Sequence, residues 1–167
     1  MLNASILARL VLACVATTTL AEDIRSFLEI RAPRSVSVGP EGRVYAIDWP
    51  DGVNQLYMRE PGETSWNRLT DFTDGVSSYD LSPDGGHLVV EASAGGSEQN
   101  DLHLVETASG RMRTLRADPE VVFGFQCWLR DGSGFIYRAN DEVATDFHLY
   151  RHDLETGTST RILGEEG

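Results

Sequence analysis

The chain has 167 residues, 26 of them acidic and 14 basic, for a formal net charge of -12. One domain with a real core fits that length, while two large domains do not. Phosphate backbones need a basic face, so the charge balance argues against a nucleic-acid partner.

The first 21 residues, MLNASILARLVLACVATTTLA, contain no acidic residue and one basic residue, Arg9. An apolar run from Leu10 to Ala16 follows, and the segment ends on small residues at Ala21 before Glu22-Asp23. That layout predicts a secretory signal peptide over residues 1–21, hence an exported product, periplasmic or secreted. Val11-Leu12-Ala13-Cys14 is a fainter match to a lipoprotein cleavage box. Cleavage after Ala21 removes Cys14 and leaves Cys127 without an intrachain partner, so the exported chain would carry no disulfide. Cys127, between Gln126 and Trp128, reads as a small buried hydrophobe. After residue 28 no apolar run reaches the roughly 20 residues of a membrane span.

Glu22–Arg31 places Ile24, Phe27, Leu28 and Arg31 at helical intervals, predicting one short lead-in helix over residues 22–31. Beyond residue 32 the helical period disappears and a repeat begins. Turns centred on Gly42, Gly85 and Gly132 are 43 and 47 positions apart. A second mark at Leu56, Leu102 and Leu149 keeps spacings of 46 and 47. A third at Leu69, Leu115 and Leu163 keeps 46 and 48. Three marks holding one period identify a structural repeat.

Each copy reads as four short strands. The first is Ser35–Val38, Ser77–Leu81 or Phe123–Trp128. A turn follows in which Pro40 or Pro83 sets φ and the glycine supplies φ > 0. The second strand, Arg43–Asp48, His87–Ala92 or Gly134–Ala139, is rich in Val, Ile, Tyr and Phe. Polar loops at 50–54, 94–100 and 141–145 lead to a third strand, and glycine-bearing turns lead to a fourth. Four antiparallel strands in about 45 residues describe a β-propeller blade. The expected fold is therefore all-β: an incomplete propeller over residues 32–167, with blades at about 32–72, 76–117 and 123–164. Rings close with about four to eight blades, so three leave apolar flanks that further blades would cover. Truncation of a longer protein is the expected cause, and assembly of a ring from several copies is the competing one.

At Leu81-Ser82-Pro83-Asp84-Gly85 the sequence resembles the WD40-like Ser-Pro-Asp-Gly repeats of TolB and of the propellers of prolyl-oligopeptidase-type serine peptidases, family S9. Ile24 to Pro33, Arg68-Leu69-Thr70, Gly124 to Trp128, and Ala139-Asn140-Asp141-Glu142 followed by Thr145 to Tyr150 are similar to the peptidases in particular. Arg130 stands where the third turn would carry proline, and Gly39 where the first would carry serine. The resemblance implies an exported peptidase whose propeller gates peptide access to an α/β-hydrolase domain with a Ser-Asp-His triad. That domain and the further blades would be the partners of these residues. A TolB-like, non-catalytic interaction platform is the alternative.

No catalytic, cofactor-binding or metal-binding residue is assigned from the sequence. A nucleophile elbow requires Gly-x-Ser-x-Gly between a strand and a helix. Gly95-Gly96-Ser97-Glu98-Gln99 lacks the last glycine and reads as a polar loop, so this chain is expected to be inactive by itself. Among His87, His103, His148 and His152, the last two have i, i+4 spacing, which brings ligands together on a helix but separates them by about 13 Å on a strand. They therefore read as solvated or cross-strand residues. Asp71, Asp74, Asp80, Asp84, Asp131, Asp141 and Glu142 follow no calcium-loop spacing and read as turn chemistry. Trp49, Trp66 and Trp128 read as packing between blades.

Overall fold

The structure, a computed structural model, describes residues 32–93, 95–97 and 99–163. The expected signal peptide and the helix over 22–31 lie outside the described residues. Among those described there is no α-helix, and no helix long and apolar enough to cross a membrane.

Twelve strands form three separate four-stranded sheets, each antiparallel and each in chain order. Blade 1 comprises β1 (Arg34–Val38), β2 (Val44–Asp48), β3 (Gln55–Arg59) and β4 (Asn67–Arg68). Blade 2 comprises β5 (Val76–Leu81), β6 (His87–Ser93), β7 (Asn100–Glu106) and β8 (Met112–Arg116). Blade 3 comprises β9 (Phe123–Trp128), β10 (Gly134–Val143), β11 (Asp146–Asp153) and β12 (Ser159–Leu163). The repeat marks fall in equivalent places: Leu56, Leu102 and Leu149 all lie on the third strand of their blades. The turn glycines adopt the left-handed conformation, Gly42 at φ 81°, Gly85 at 73° and Gly132 at 72°. An L side chain there would crowd the next carbonyl, so glycine is the residue the tight reversal requires.

Packing between blades explains the composition of the middle one. Strand side chains alternate between faces, and β6 has a neighbour on both. Leu88 and Val90 join Tyr45, Ile47 and Leu56 in the seam between blades 1 and 2. Val89 joins Leu102, Leu104, Phe135 and Tyr137 in the seam between blades 2 and 3. A strand covered on both sides must be apolar nearly throughout, which accounts for the run Leu88-Val89-Val90. The second seam is aromatic: Phe135 lies 5.5 Å from Trp128 and 6.1 Å from Tyr137, centroid to centroid, and Tyr137 stacks on Tyr150 at 5.2 Å.

Polar ties cross the same seams. The Tyr79 hydroxyl on β5 donates to the Tyr45 carbonyl at 2.8 Å and sits 2.9 Å from Ser37 Oγ. Arg116 on β8 donates from Nε to the Tyr137 hydroxyl at 3.0 Å, its guanidinium 5.6 Å above that ring.

On the far side of blade 3 nothing described covers the sheet. Phe147, Leu163 and Ile162 are exposed there or at its last strand, and the Arg138 guanidinium lies over the Phe147 ring. Cys127 is exposed, contrary to the buried position expected from its apolar neighbours. It pairs with Ile136, whose alternation points away from the Phe135 and Tyr137 seam.

Candidate functional site

The residues with chemical potential fall into three groups. The first is the turn carboxylates. Asp84 accepts from Ser82 Oγ at 2.5 Å and from the Gly86 amide at 3.0 Å. Asp131 accepts from the Ser133 amide at 3.1 Å and its hydroxyl at 2.8 Å. The hydroxyl and amide donors hold both carboxyls below the usual range. These groups build the turns, as expected of Asp beside glycine. Asp74 accepts from the Gly95 amide at 2.6 Å, anchoring the loop that follows β6, and Asp71 pairs with Arg68. Ser97 lies in that loop and donates to the Gln99 carbonyl at 3.1 Å, with no helix after it. Asp80 stands apart: burial pushes its carboxyl up.

The second group is the histidines: His87 is half-buried and the other three are interior, so the solvated reading fails for those three while the cross-strand reading holds for His103 and His152. His103, His148 and His152 are all buried. His103 Nδ1 meets Thr114 Oγ1 at 3.1 Å, and burial lowers its pKa. His152 Nδ1 meets Ser159 Oγ at 3.0 Å and its ring lies 5.0 Å from Phe135. Burial, with the positive charges of Arg116 and Arg113, pushes its pKa down to about 4. His148 and His152 share the inward face of β11 but have different partners, so the i, i+4 pair makes no joint site. The tryptophans also divide. Trp128 packs against the second seam, whereas Trp49 and Trp66 are half-buried outside both clusters, with the Arg59 guanidinium 5.0 Å above Trp66.

The third group was not legible as a site in sequence. Where a polar loop was expected over 141–145, β10 continues to Val143 and turns tightly into Asp146. Ala139 pairs with His148 and Val143 with Asp146, so Asn140, Asp141 and Glu142 together face one residue, Phe147. This bulge turns side chains out of strict alternation. Asn140 stabilises it, accepting from the Val122 amide at 2.7 Å and donating to the Ala144 carbonyl at 2.8 Å. Asp141, Glu142 and buried His148 thereby place donor atoms within 4.8 Å of one another. The Tyr150 hydroxyl donates to Asp141 at 2.7 Å and faces Glu142 at 3.0 Å. Burial and the two carboxylates raise the pKa of that phenol. Arg161 donates to Glu142 Oε2 at 2.7 Å.

A shallow cavity of about 320 Å³ opens between the turns of blades 1 and 2, lined by Pro40, Arg43, Tyr45, Asp84 and Thr107. The Thr107 hydroxyl there donates to the Gly85 carbonyl at 2.7 Å.

No family model matches the chain, and no curated protein matches it. Solved structures do. TolB from Acinetobacter baumannii superposes with a TM-score of 0.60 at 17% identity, covering 81% of this chain and 33% of that one. A putative TolB from Agrobacterium tumefaciens gives 0.57 at 20% identity, over 80% of this chain and 47% of that one. A prolyl endopeptidase gives 0.61 at 18% identity, over 78% of this chain and 22% of that one. The chain thus spans less than half the length of these structures. The three sheets are blades of a β-propeller, in the arrangement found in TolB and in a prolyl endopeptidase.

Proposed function

We propose that these blades belong to the propeller of an exported serine peptidase of the S9 type and control which substrates reach its catalytic domain. The likeness to a prolyl endopeptidase, TM-score 0.61, carries this reading. The third-blade pattern supports it: Ala139 to Glu142 and Thr145 to Tyr150, the residues that resemble the peptidases, form the β10–β11 hairpin. In this reading the blades cleave nothing, consistent with a sequence that contains no Gly-x-Ser-x-Gly. A hydrolase domain outside these residues supplies the triad, further blades pack on the far face of blade 3, and residues 1–21 direct export.

The test is serine-directed fluorophosphonate labelling of source extracts, followed by capture with an antibody raised against this chain. A labelled band well above 18.4 kDa is expected. An unlabelled captured protein, whose reading frame past Gly167 stops without a nucleophile elbow, would overturn the proposal. It would favour a TolB-like propeller without catalysis, the reading that the two TolB likenesses support.

A further inference from the structure

The bulge at the end of β10 has a feature that turn chemistry does not explain. His148 is 4% exposed, and its Nδ1 has no hydrogen-bond partner. The nearest ionic group to that nitrogen is Glu142 Oε2, at 4.0 Å. A buried imidazole nitrogen without a partner forfeits its hydration, at a cost of about 1–3 kcal/mol. Proteins retain such an arrangement where something else completes it. From the geometry we infer that Asp141, Glu142 and His148 form a binding site for a divalent transition-metal ion of the zinc class.

The donor set fits that chemistry. With Nε2 carrying the proton, neutral His148 offers an Nδ1 lone pair, and the carboxylates offer oxygens. Imidazole with carboxylates suits zinc and its neighbours better than calcium or magnesium, which select oxygen alone. Zinc bonds of about 2.0–2.2 Å require donors about 3.4 Å apart around a tetrahedron. Closing from 4.8 Å takes movement of the exposed Asp141 and Glu142 side chains, while the buried histidine stays fixed.

The surroundings orient the carboxylates toward the histidine side of the bulge. Tyr150 donates to Asp141, and Arg161 donates to Glu142 Oε2, the same oxygen that lies nearest His148 Nδ1. Such outer contacts orient metal ligands and set their basicity. Two carboxylates against one guanidinium leave the pocket at a local charge of about −1, attractive to a dication. The fourth position, on the exposed side of Asp141 and Glu142, falls to water.

The competing explanation is a plain imidazolium–carboxylate pair between His148 and Glu142, with no ion. Titration of the chelator-stripped full chain with Zn²⁺ by calorimetry separates the two, together with Co²⁺ absorption spectra as a report of nitrogen and oxygen ligation. One saturable site is expected, with a cobalt band in the visible. Glu142→Gln and His148→Gln should each weaken binding at least about tenfold. Cys127→Ser and His103→Gln should leave it unchanged, which excludes the exposed thiol and another buried histidine as the ligands. Should His148→Gln not fold, Glu142→Gln and Asp141→Asn on the exposed side carry the test. Absence of saturable binding, or binding that survives Glu142→Gln and Asp141→Asn, overturns the proposal in favour of the plain ion pair.

Discussion

Glu91 on β6 accepts the backbone amide of Phe125 on β9 at 2.7 Å, joining the middle of blade 2 to the first strand of blade 3. Its other oxygen takes the Ser78 hydroxyl, so one carboxylate ties three strands. Hydrogen bonds to charged groups contribute about 1.5–3 kcal/mol each. Glu91→Ala should therefore lower stability by about 2–3 kcal/mol, and Glu91→Gln, which keeps an acceptor, by about 1 kcal/mol. Urea unfolding reads this as a lower midpoint at constant slope. A midpoint unmoved in Glu91→Ala would show that the tie contributes nothing.

Gly134 opens β10 against the end of β11. A Cβ there would lie 2.1 Å from the His152 carbonyl oxygen, which is backbone and cannot step aside. Gly134→Ala should cost about 3 kcal/mol or more, at the upper end of overpacking penalties. Gly62 differs: its φ is +81°, but the space around it is open. Gly62→Ala should lose about 1–2 kcal/mol through backbone strain alone. The order of the two melting temperatures checks this, and Gly62→Ala melting below Gly134→Ala would contradict it.

Acid should weaken the fold through its histidines before its carboxylates titrate. His152, lowered to about 4, stays neutral in the folded chain while the unfolded chain takes up a proton near 6.5. His103 is lowered in the same direction. The unfolded state then binds more protons, so stability falls as pH drops from about 6.5 to about 4, by up to about 1.4 kcal/mol per unit for one such group. Asp80 acts oppositely at the acid end, because its raised pKa makes protonation relieve a burial cost. Asp84, Asp131 and Asp153, all lowered, contribute stability that is lost only when the pH falls below the usual carboxylate value. Unfolding midpoints from pH 7 to 4.5 should decline in the parent and decline less in His152→Gln. Parallel curves would remove His152 from the account.

The two faces of blade 3 should respond differently to truncation. Phe135, 1% exposed, contacts Trp128, Tyr137 and His152. Phe135→Ala should cost about 3–5 kcal/mol, as buried aromatic deletions do. Phe147, 45% exposed on the opposite face, should cost under about 1 kcal/mol when replaced by Ala. Phe147→Lys should also reduce self-association by light scattering, because an uncovered apolar patch favours contact between copies. Equal losses at the two positions would mean that the far face is covered in solution.

How much of this was legible depended on the range of the interactions. The Pro-Asp-Gly turns and the leucine marks depend on neighbours within a few positions, and the first and second strands of each blade appeared within about one residue of where those signals placed them, except β10, which runs past the expected end at Ala139 to Val143. Phe123–Trp128 matched at both ends. Which face a strand residue takes depends on cross-strand register, which the run Phe-Gly-Phe-Gln-Cys-Trp does not disclose. Hence Cys127, read as interior, lies on the open face. The cluster of Asp141, Glu142 and His148 was hidden for the same reason. Polar residues between two strands suggest a loop, and only pairing across the hairpin reveals that they form a bulge over a buried imidazole. His148 and His152 are interior because they share the face of β11 that carries Tyr150 into the second seam, and His103 on β7 because Phe72 packs on its ring, contacts invisible to local spacing.

The two seams have different makeup, mainly aliphatic around Tyr45 between blades 1 and 2, and a group of rings set against Val89, Leu102 and Leu104 between blades 2 and 3. Repeated modules of near-identical backbone could in principle trade places, yet blade 3 presents the Phe135 and Tyr137 rings to its neighbour where blade 2 presents the smaller Leu88 and Val90. The order of the three blades is thus written into side-chain size, and shuffled or duplicated modules would meet mismatched neighbours.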